Sequence, residues 1–266
     1  MAVTRELAKL SDYSGGASQE FWNIFPKSEI PTSVKTSVNV DILEVKIEEK
    51  KSKLLTHQYE RAKKAVNFLR FGAPAYQINT LPSCFVKNTP STAEFGSDVA
   101  DAVASWVKKG FASGPFKEPP LPNFRVNCFM AVNQGTKVRP ILNISVPENS
   151  SFNDNVDVFE LEKVTMCTAR SFSYAVLAAG KGAKMYKSDV CDAYKIVPAR
   201  IEDLRLQGFG FLGAFFCENR MAFGGKPSVS NYDIVGNTLF TLAKVDSTIP
   251  TRLVDRCVDD VQDSFA

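Results

Sequence analysis

A chain of 266 residues can bury a substantial core in one large or two small domains, and 44% hydrophobic with 23% charged residues is ordinary for a globular fold. A net charge of +3 permits a polyanionic partner without demanding one, so the local placement of charge matters more than its sum. One histidine (His57) and six scattered cysteines without a CxxC pair argue against a zinc site.

The cysteines, at 84, 128, 167, 191, 217 and 257, read as small buried hydrophobes of a reducing compartment. The N-terminus lacks the apolar core of a signal peptide, and no run approaches the ~18 apolar residues of a membrane helix. An intracellular chain, cytoplasmic or nuclear and away from membranes, is expected.

Residues 1–53 read as a loosely structured segment. Ser14-Gly15-Gly16 and Pro31-Thr32-Ser33 break it, and the run from Val40 to Ile47 suits a short strand. Between Lys46 and Arg70 stand eight Lys/Arg against three Glu. Leu54, Leu55, Ala62, Ala65, Val66 and Leu69 recur at helical spacing, and Gly72 with Pro74 ends the element. The basic side of that helix is either a solvated face or a nucleic-acid contact. A second helix, capped by Ser97 or Asp98, places Val99, Val103 and Val107 on one face and stops at Lys108-Lys109-Gly110.

Strand patterns follow from Val126 to Val132 and from Val138 to Val146, joined by a turn at Asn133-Gln134-Gly135. A helix is expected from Ala169 to Ala179, ending at Gly180, and a strand from Lys184 to Val190. A Phe- and Gly-rich hairpin spans Gly208 to Phe223, a helix Ser228 to Ala243, and a last strand region Thr251 to Val261. Strands and helices mix without strict alternation, which indicates an α+β class.

Two acidic stretches carry the chemistry. Asp189 closes a strand-like run, with Asp192 and Tyr194 just beyond it. Asp259 and Asp260 lie side by side between Val258 and Val261. Adjacent carboxylates are costly inside a strand because like charges repel and burial strips their hydration. A tight hairpin presenting both to a divalent cation removes that objection, and a solvated turn is the plainer alternative.

Further motifs stand in order around these acids: Lys137-Val-Arg-Pro-Ile-Leu142, Ser151-Phe-Asn-Asp154, Asp189-Val-Cys-Asp-Ala-Tyr194 with Ile196-Val-Pro198, Met221-Ala-Phe-Gly224 with Pro227-Ser228, and Cys257-Val-Asp-Asp260. Over residues 80–266 this run resembles the reverse-transcriptase family. VRPILNISVP, SDVCDAYKIVPA and LQGFGF are most similar to long-terminal-repeat and tyrosine-recombinase retroelements. Ala222 replaces the family's turn proline, and Cys257 stands where most members carry an aromatic.

The resemblance implies an RNA-directed DNA polymerase: a right-hand fingers and palm fold with an antiparallel palm sheet, truncated before the thumb. Fingers would occupy 54–183 and an incomplete palm 184–266. Asp189 and Asp259, supported by Asp260, would bind two Mg²⁺ ions (or Mn²⁺) about 4 Å apart. Deoxynucleoside triphosphates and a primed RNA or DNA template would be the partners. Lys137 and Arg139 would hold the triphosphate, unless they are merely an exposed strand face. Tyr194 would lie under the sugar, Gly224 would allow close approach, and Phe223 and Asp192 would line the nucleotide site. Packing roles for Tyr194 and Phe223, an ordinary turn at Gly224 and a structural acid at Asp192 are the alternatives. Since Ala266 follows Asp260 by only six residues, weak or no activity is expected of this chain alone. Two rivals are a non-catalytic retroelement remnant and a metal-dependent nuclease, the latter disfavoured by the single histidine.

Overall fold

The computed structural model describes residues 19–164, 167–182, 184–246, 254–257 and 260–265. Its N-terminal part is more regular than expected. Within the segment read as loose lie helices α1 (Gln19–Ile24) and α2 (Val40–Lys50). The second corrects the strand expected at Val40 to Ile47. Asn39 caps it, its side chain accepting the Ile42 N–H at 3.1 Å, and Leu43 and Ile47, one turn apart, are buried on a single face. Strand-favouring Val and Ile are overridden because the partner they meet is a helix and not a sheet edge.

That partner is α3 (Thr56–Phe71), which buries Ala62, Ala65, Val66, Phe68 and Leu69 and ends at Gly72. The basic stretch from Lys46 to Arg70 proves largely paired. Arg70 reaches Glu44 at 3.0 Å and Asp41 at 2.8 Å, and Lys63 reaches Glu44 at 3.3 Å and Glu48 at 3.4 Å. Lys64 meets Glu162 at 2.8 Å, and Lys50 pairs with Asp246. Arg61 bridges Glu162 at 3.0 Å and the buried Asp233 at 2.6 Å. These cations knit helices together, with most of their charge facing carboxylates.

Next come β1 (Cys84–Phe85), α4 (Pro90–Glu94) and α5 (Gly96–Lys108). Val99, Val103 and Val107 are buried as their spacing predicts, but Ser97 and Asp98 lie inside the first turn of α5 and do not cap it. Strands β2 (Ala112–Phe116), β3 (Arg125–Asn133) and β4 (Val138–Asn143) follow, then α6 (Ala169–Ala179), capped by Thr168. The remaining elements are β5 (Lys184–Asp189), α7 (Ala193–Ile196), β6 (Gly208–Phe211), β7 (Ala214–Glu218), α8 (Lys226–Asp246), β8 (Val254–Cys257) and β9 (Asp260–Phe265). No described helix is long and apolar enough to cross a membrane.

The strands form two sheets. The larger is mixed, in the order β1-β3-β6-β7-β2, with β4 also paired to β3. β3 runs parallel to β1 and β6; the other pairings are antiparallel. β6 and β7 follow residue 184, yet they hydrogen-bond to β3 and β2, which precede it. The smaller sheet, β5-β9-β8, is antiparallel throughout.

Aromatic packing sets the closeness of the larger sheet. Phe209 stacks between Phe129 at 4.5 Å and Phe216 at 5.3 Å, with Trp106 edge-on at 6.5 Å. Gly208 lets β6 approach β3: a Cβ there would lie 2.2 Å from the Phe124 ring and 2.5 Å from the Arg125 carbonyl oxygen.

Candidate active site

The acids lie at the end of the smaller sheet. Asp189, the last residue of β5, is directly opposite Asp260, the first of β9, and Asp260 is in turn opposite Cys257, the last of β8. Directly opposed residues of an antiparallel ladder have Cα atoms about 4.5–5.5 Å apart. The backbone therefore gathers two acidic residues 71 positions apart in sequence, as the register of β5 with β9 requires. Asp189 is exposed and has no ion-pair partner among the described residues. Asp259 lies outside the described residues, among which no cluster of three or more His, Cys, Asp or Glu side chains occurs. Two acidic residues in opposed register at a strand end, one of them exposed, nevertheless fit an oxygen-seeking divalent cation.

Beyond β5 the chain turns sharply. Asp192 adopts the left-handed conformation (φ 53°, ψ 38°) in front of α7, and its carbonyl oxygen accepts the Lys195 N–H at 2.7 Å. Its carboxylate meets Lys109 Nζ at 3.0 Å. The Asp192 carboxylate thereby ties the turn to the end of α5.

Tyr194 is half-buried. Its ring packs edge-on to Phe223 at 5.8 Å and against Tyr232 at 5.5 Å. Phe223 is 50% exposed, so it is a surface ring and not core. The turn at Met221 to Gly224 is thus brought against the segment that follows β5, although the two lie far apart in sequence.

Gly224 has φ 100°, and a Cβ there would come within 3.3 Å of the Leu142 carbonyl oxygen on β4. The turn is held by a residue whose role the sequence did not reveal. Asn153 donates through Nδ2 to the Gly224 carbonyl at 2.8 Å and to Ser145 Oγ at 2.7 Å, while its Oδ1 accepts the Lys226 N–H at 2.8 Å. Asn153 itself is only 5% exposed, so its amide is largely buried at the point where it makes these bonds. Its neighbour Asp154 accepts from Ser151 Oγ at 2.8 Å, which holds the Asp154 carboxyl below its ordinary range.

Lys137 and Arg139 stand apart. Both are exposed at the start of the β4 hairpin, with no ion pair among the described residues. Arg139 is three residues from Leu142, roughly 10 Å along a strand. The structure therefore brings together Asp189 with Asp260, and Tyr194 with Phe223 near Gly224, while the two cations lie toward the far end of a strand that touches the Gly224 turn.

Two solved structures share this fold. The Prototype Foamy Virus protease–reverse transcriptase superposes with a TM-score of 0.51 at 16% identity, over 88% of this chain and 30% of that one. A foamy viral protease–reverse transcriptase solved in complex with double-stranded DNA gives a TM-score of 0.52 at 11% identity, over 88% of this chain and 39% of that one. The chain carries a reverse-transcriptase-like fold. It spans well under half the length of these neighbours. Neither a family model nor a curated protein matches it. The likeness to foamy viral enzymes shows the fold and gives no support to the narrower long-terminal-repeat or tyrosine-recombinase type.

Proposed function

We propose that this chain is the catalytic portion of an RNA-directed DNA polymerase that transfers deoxynucleotides to a primer 3′-hydroxyl. The observation that carries this reading is the opposed register of Asp189 and Asp260 at the end of the small antiparallel sheet, on a reverse-transcriptase-like fold. That sheet would be the palm. Asp189, Asp259 and Asp260 would hold two Mg²⁺ or Mn²⁺ ions. Such ions acidify the attacking hydroxyl and neutralise charge on the leaving pyrophosphate.

The protein's own residues do the positioning. Tyr194, braced by Tyr232, and the exposed Phe223 offer an aromatic wall for the nucleotide sugar and base. Gly224 keeps its turn close to β4, and Asn153 holds that turn through two hydrogen bonds, to the Gly224 carbonyl and from the Lys226 N–H. Lys137 and Arg139 are available to a triphosphate or a template strand, where the planar guanidinium suits two phosphate oxygens at once. Asp192 acts at one remove, by holding the turn before Tyr194 to Lys109. Primed RNA or DNA would be the template, consistent with the DNA named in one structural neighbour.

Template–primer extension with Mg²⁺ and deoxynucleotides tests the proposal. At most weak, metal-dependent incorporation is expected from the unaltered chain, falling to background in Asp189→Asn and in Asp259→Asn and falling less in Asp260→Asn. Incorporation that survives Asp189→Asn undiminished would sink the assignment. Nucleic-acid binding without any incorporation would mark a non-catalytic relative instead.

A further inference from the structure

We propose that the cleft beneath the segment from Ser28 to Lys35 is a phosphate-binding site anchored by Arg220. The inference uses other residues than the acidic site and does not rest on the polymerase reading.

The segment forms a strap fastened at both ends. Ser28 and Gly114 exchange two backbone hydrogen bonds of 2.8 Å, and Ser113 Oγ donates to the Glu29 carbonyl at 2.8 Å. At the other end Thr36 Oγ1 donates to the Ile196 carbonyl at 2.9 Å. Between these anchors the strap arches over a cleft of about 440 Å³, whose opposite wall includes Gly110, Pro198, Asn219 and Arg220. That volume is within the range of small-molecule sites.

Arg220 is the unusual member. It is only 6% exposed, and no carboxylate pairs with it among the described residues. One of its terminal nitrogens donates to the Lys35 carbonyl, the guanidinium lies 5.8 Å over the Phe111 ring, and its buried Nε has no hydrogen-bond partner. Neighbouring charges cancel without it. Lys195 pairs with Glu218, and Lys109 with Asp192. Glu29 also lines the cleft but is exposed on the strap. The guanidinium is therefore left as uncompensated positive charge in a mostly dry wall.

An isolated buried charge is costly unless a counter-charge completes it, and an arginine keeps its proton under nearly all conditions. A carbonyl and an aromatic face offset only part of that cost. A tetrahedral phosphate entering the cleft would supply the missing charge and accept from the planar guanidinium, a combination for which arginine is especially suited. The phosphate could be free or part of a nucleic-acid strand; the chemistry of recognition is the same.

Titration of the full chain with inorganic phosphate, at ionic strength held constant with chloride, is the test. Calorimetry should show saturable binding of one phosphate. Arg220→Met should weaken it roughly tenfold or more, and Arg220→Lys should weaken it less. Competition by a short single-stranded oligonucleotide would assign the site to a nucleic-acid phosphate, and its absence to a free one. No saturable binding by the unaltered chain, or equal binding by a folded Arg220→Met variant, overturns the proposal. Should Arg220→Met fail to fold, the Arg220→Lys titration decides: unchanged affinity refutes the anchoring role, and a weakened one upholds it.

Discussion

Two positively charged regions of this molecule are alike in sequence and opposite in situation. The stretch from Lys46 to Arg70 is the denser, with eight Lys/Arg, yet Arg61, Lys63, Lys64 and Arg70 all engage carboxylates. The β4 hairpin offers only Lys137 and Arg139, both exposed and without ion pairs among the described residues. A phosphate chain responds to uncompensated charge, and most of the charge on α2 and α3 is already compensated. Counting cations along the chain points to α2 and α3, whereas asking which cations lack partners among the described residues points to Lys137 and Arg139.

Breaking the helix seam at its most buried point should give the largest effect. Asp233 has a side chain only 4% exposed against Arg61 at 20%. Asp233→Ala should lower unfolding stability by about 2–3 kcal/mol in urea melts, below the full cost of orphaning a buried charge because Glu162 still reaches Arg61. A change too small to resolve would mean that the α3–α8 seam is held by apolar packing alone.

The same comparison is sharpened from the other side by Lys137→Ala with Arg139→Ala. Filter binding to primed template should show affinity falling roughly tenfold, with the slope of log affinity against log salt reduced by roughly 2. The urea midpoint should not move. Lys63→Ala, by contrast, should leave both the affinity and the salt slope unchanged, and an equal loss from Lys63→Ala would erase the distinction between the regions.

The smallest effect concerns acidity. Hydrogen bonds from Arg70 and Lys63 hold the Glu44 carboxyl below its ordinary range, and Tyr59 and Lys63 do the same for Glu48. A carboxylate whose folded-state pKa is lowered contributes stability above its unfolded value and loses it as pH falls through the folded one. Because these groups are exposed, the contribution is modest. Urea midpoints should hold from neutral pH down to the ordinary carboxylate range, then decline, and Glu44→Gln should flatten the first part of that decline.

Much of the fold was legible because local rules and tertiary packing agree. Val99, Val103 and Val107 recur at helical spacing and are buried as a row. The helix read from Ala169 to Ala179 is found with those bounds, since Thr168 and Gly180 punctuate it. Disagreement arose where a long-range partner decides. β1 has two residues and exists only by pairing with β3. β2 contains Gly114 and Pro115, residue types that disfavour a strand, yet it completes the sheet against β7.

The sequence by itself determined the order and kind of the chemical residues: Asp189, Asp259 and Asp260, the aromatic Tyr194 and Phe223, and the cations at 137 and 139. Their types follow from the chain, and motif order suffices to suggest their chemistry. Tertiary structure decided which of them meet and which are already occupied. It set Asp189 opposite Asp260, drew Asp192 to Lys109, bound the Gly224 turn through Asn153 and left the buried Arg220 Nε without a hydrogen-bond partner among the described residues. The physical reason is that electrostatic and hydrogen-bond interactions depend on distance and solvent exposure, and neither follows from separation along the chain.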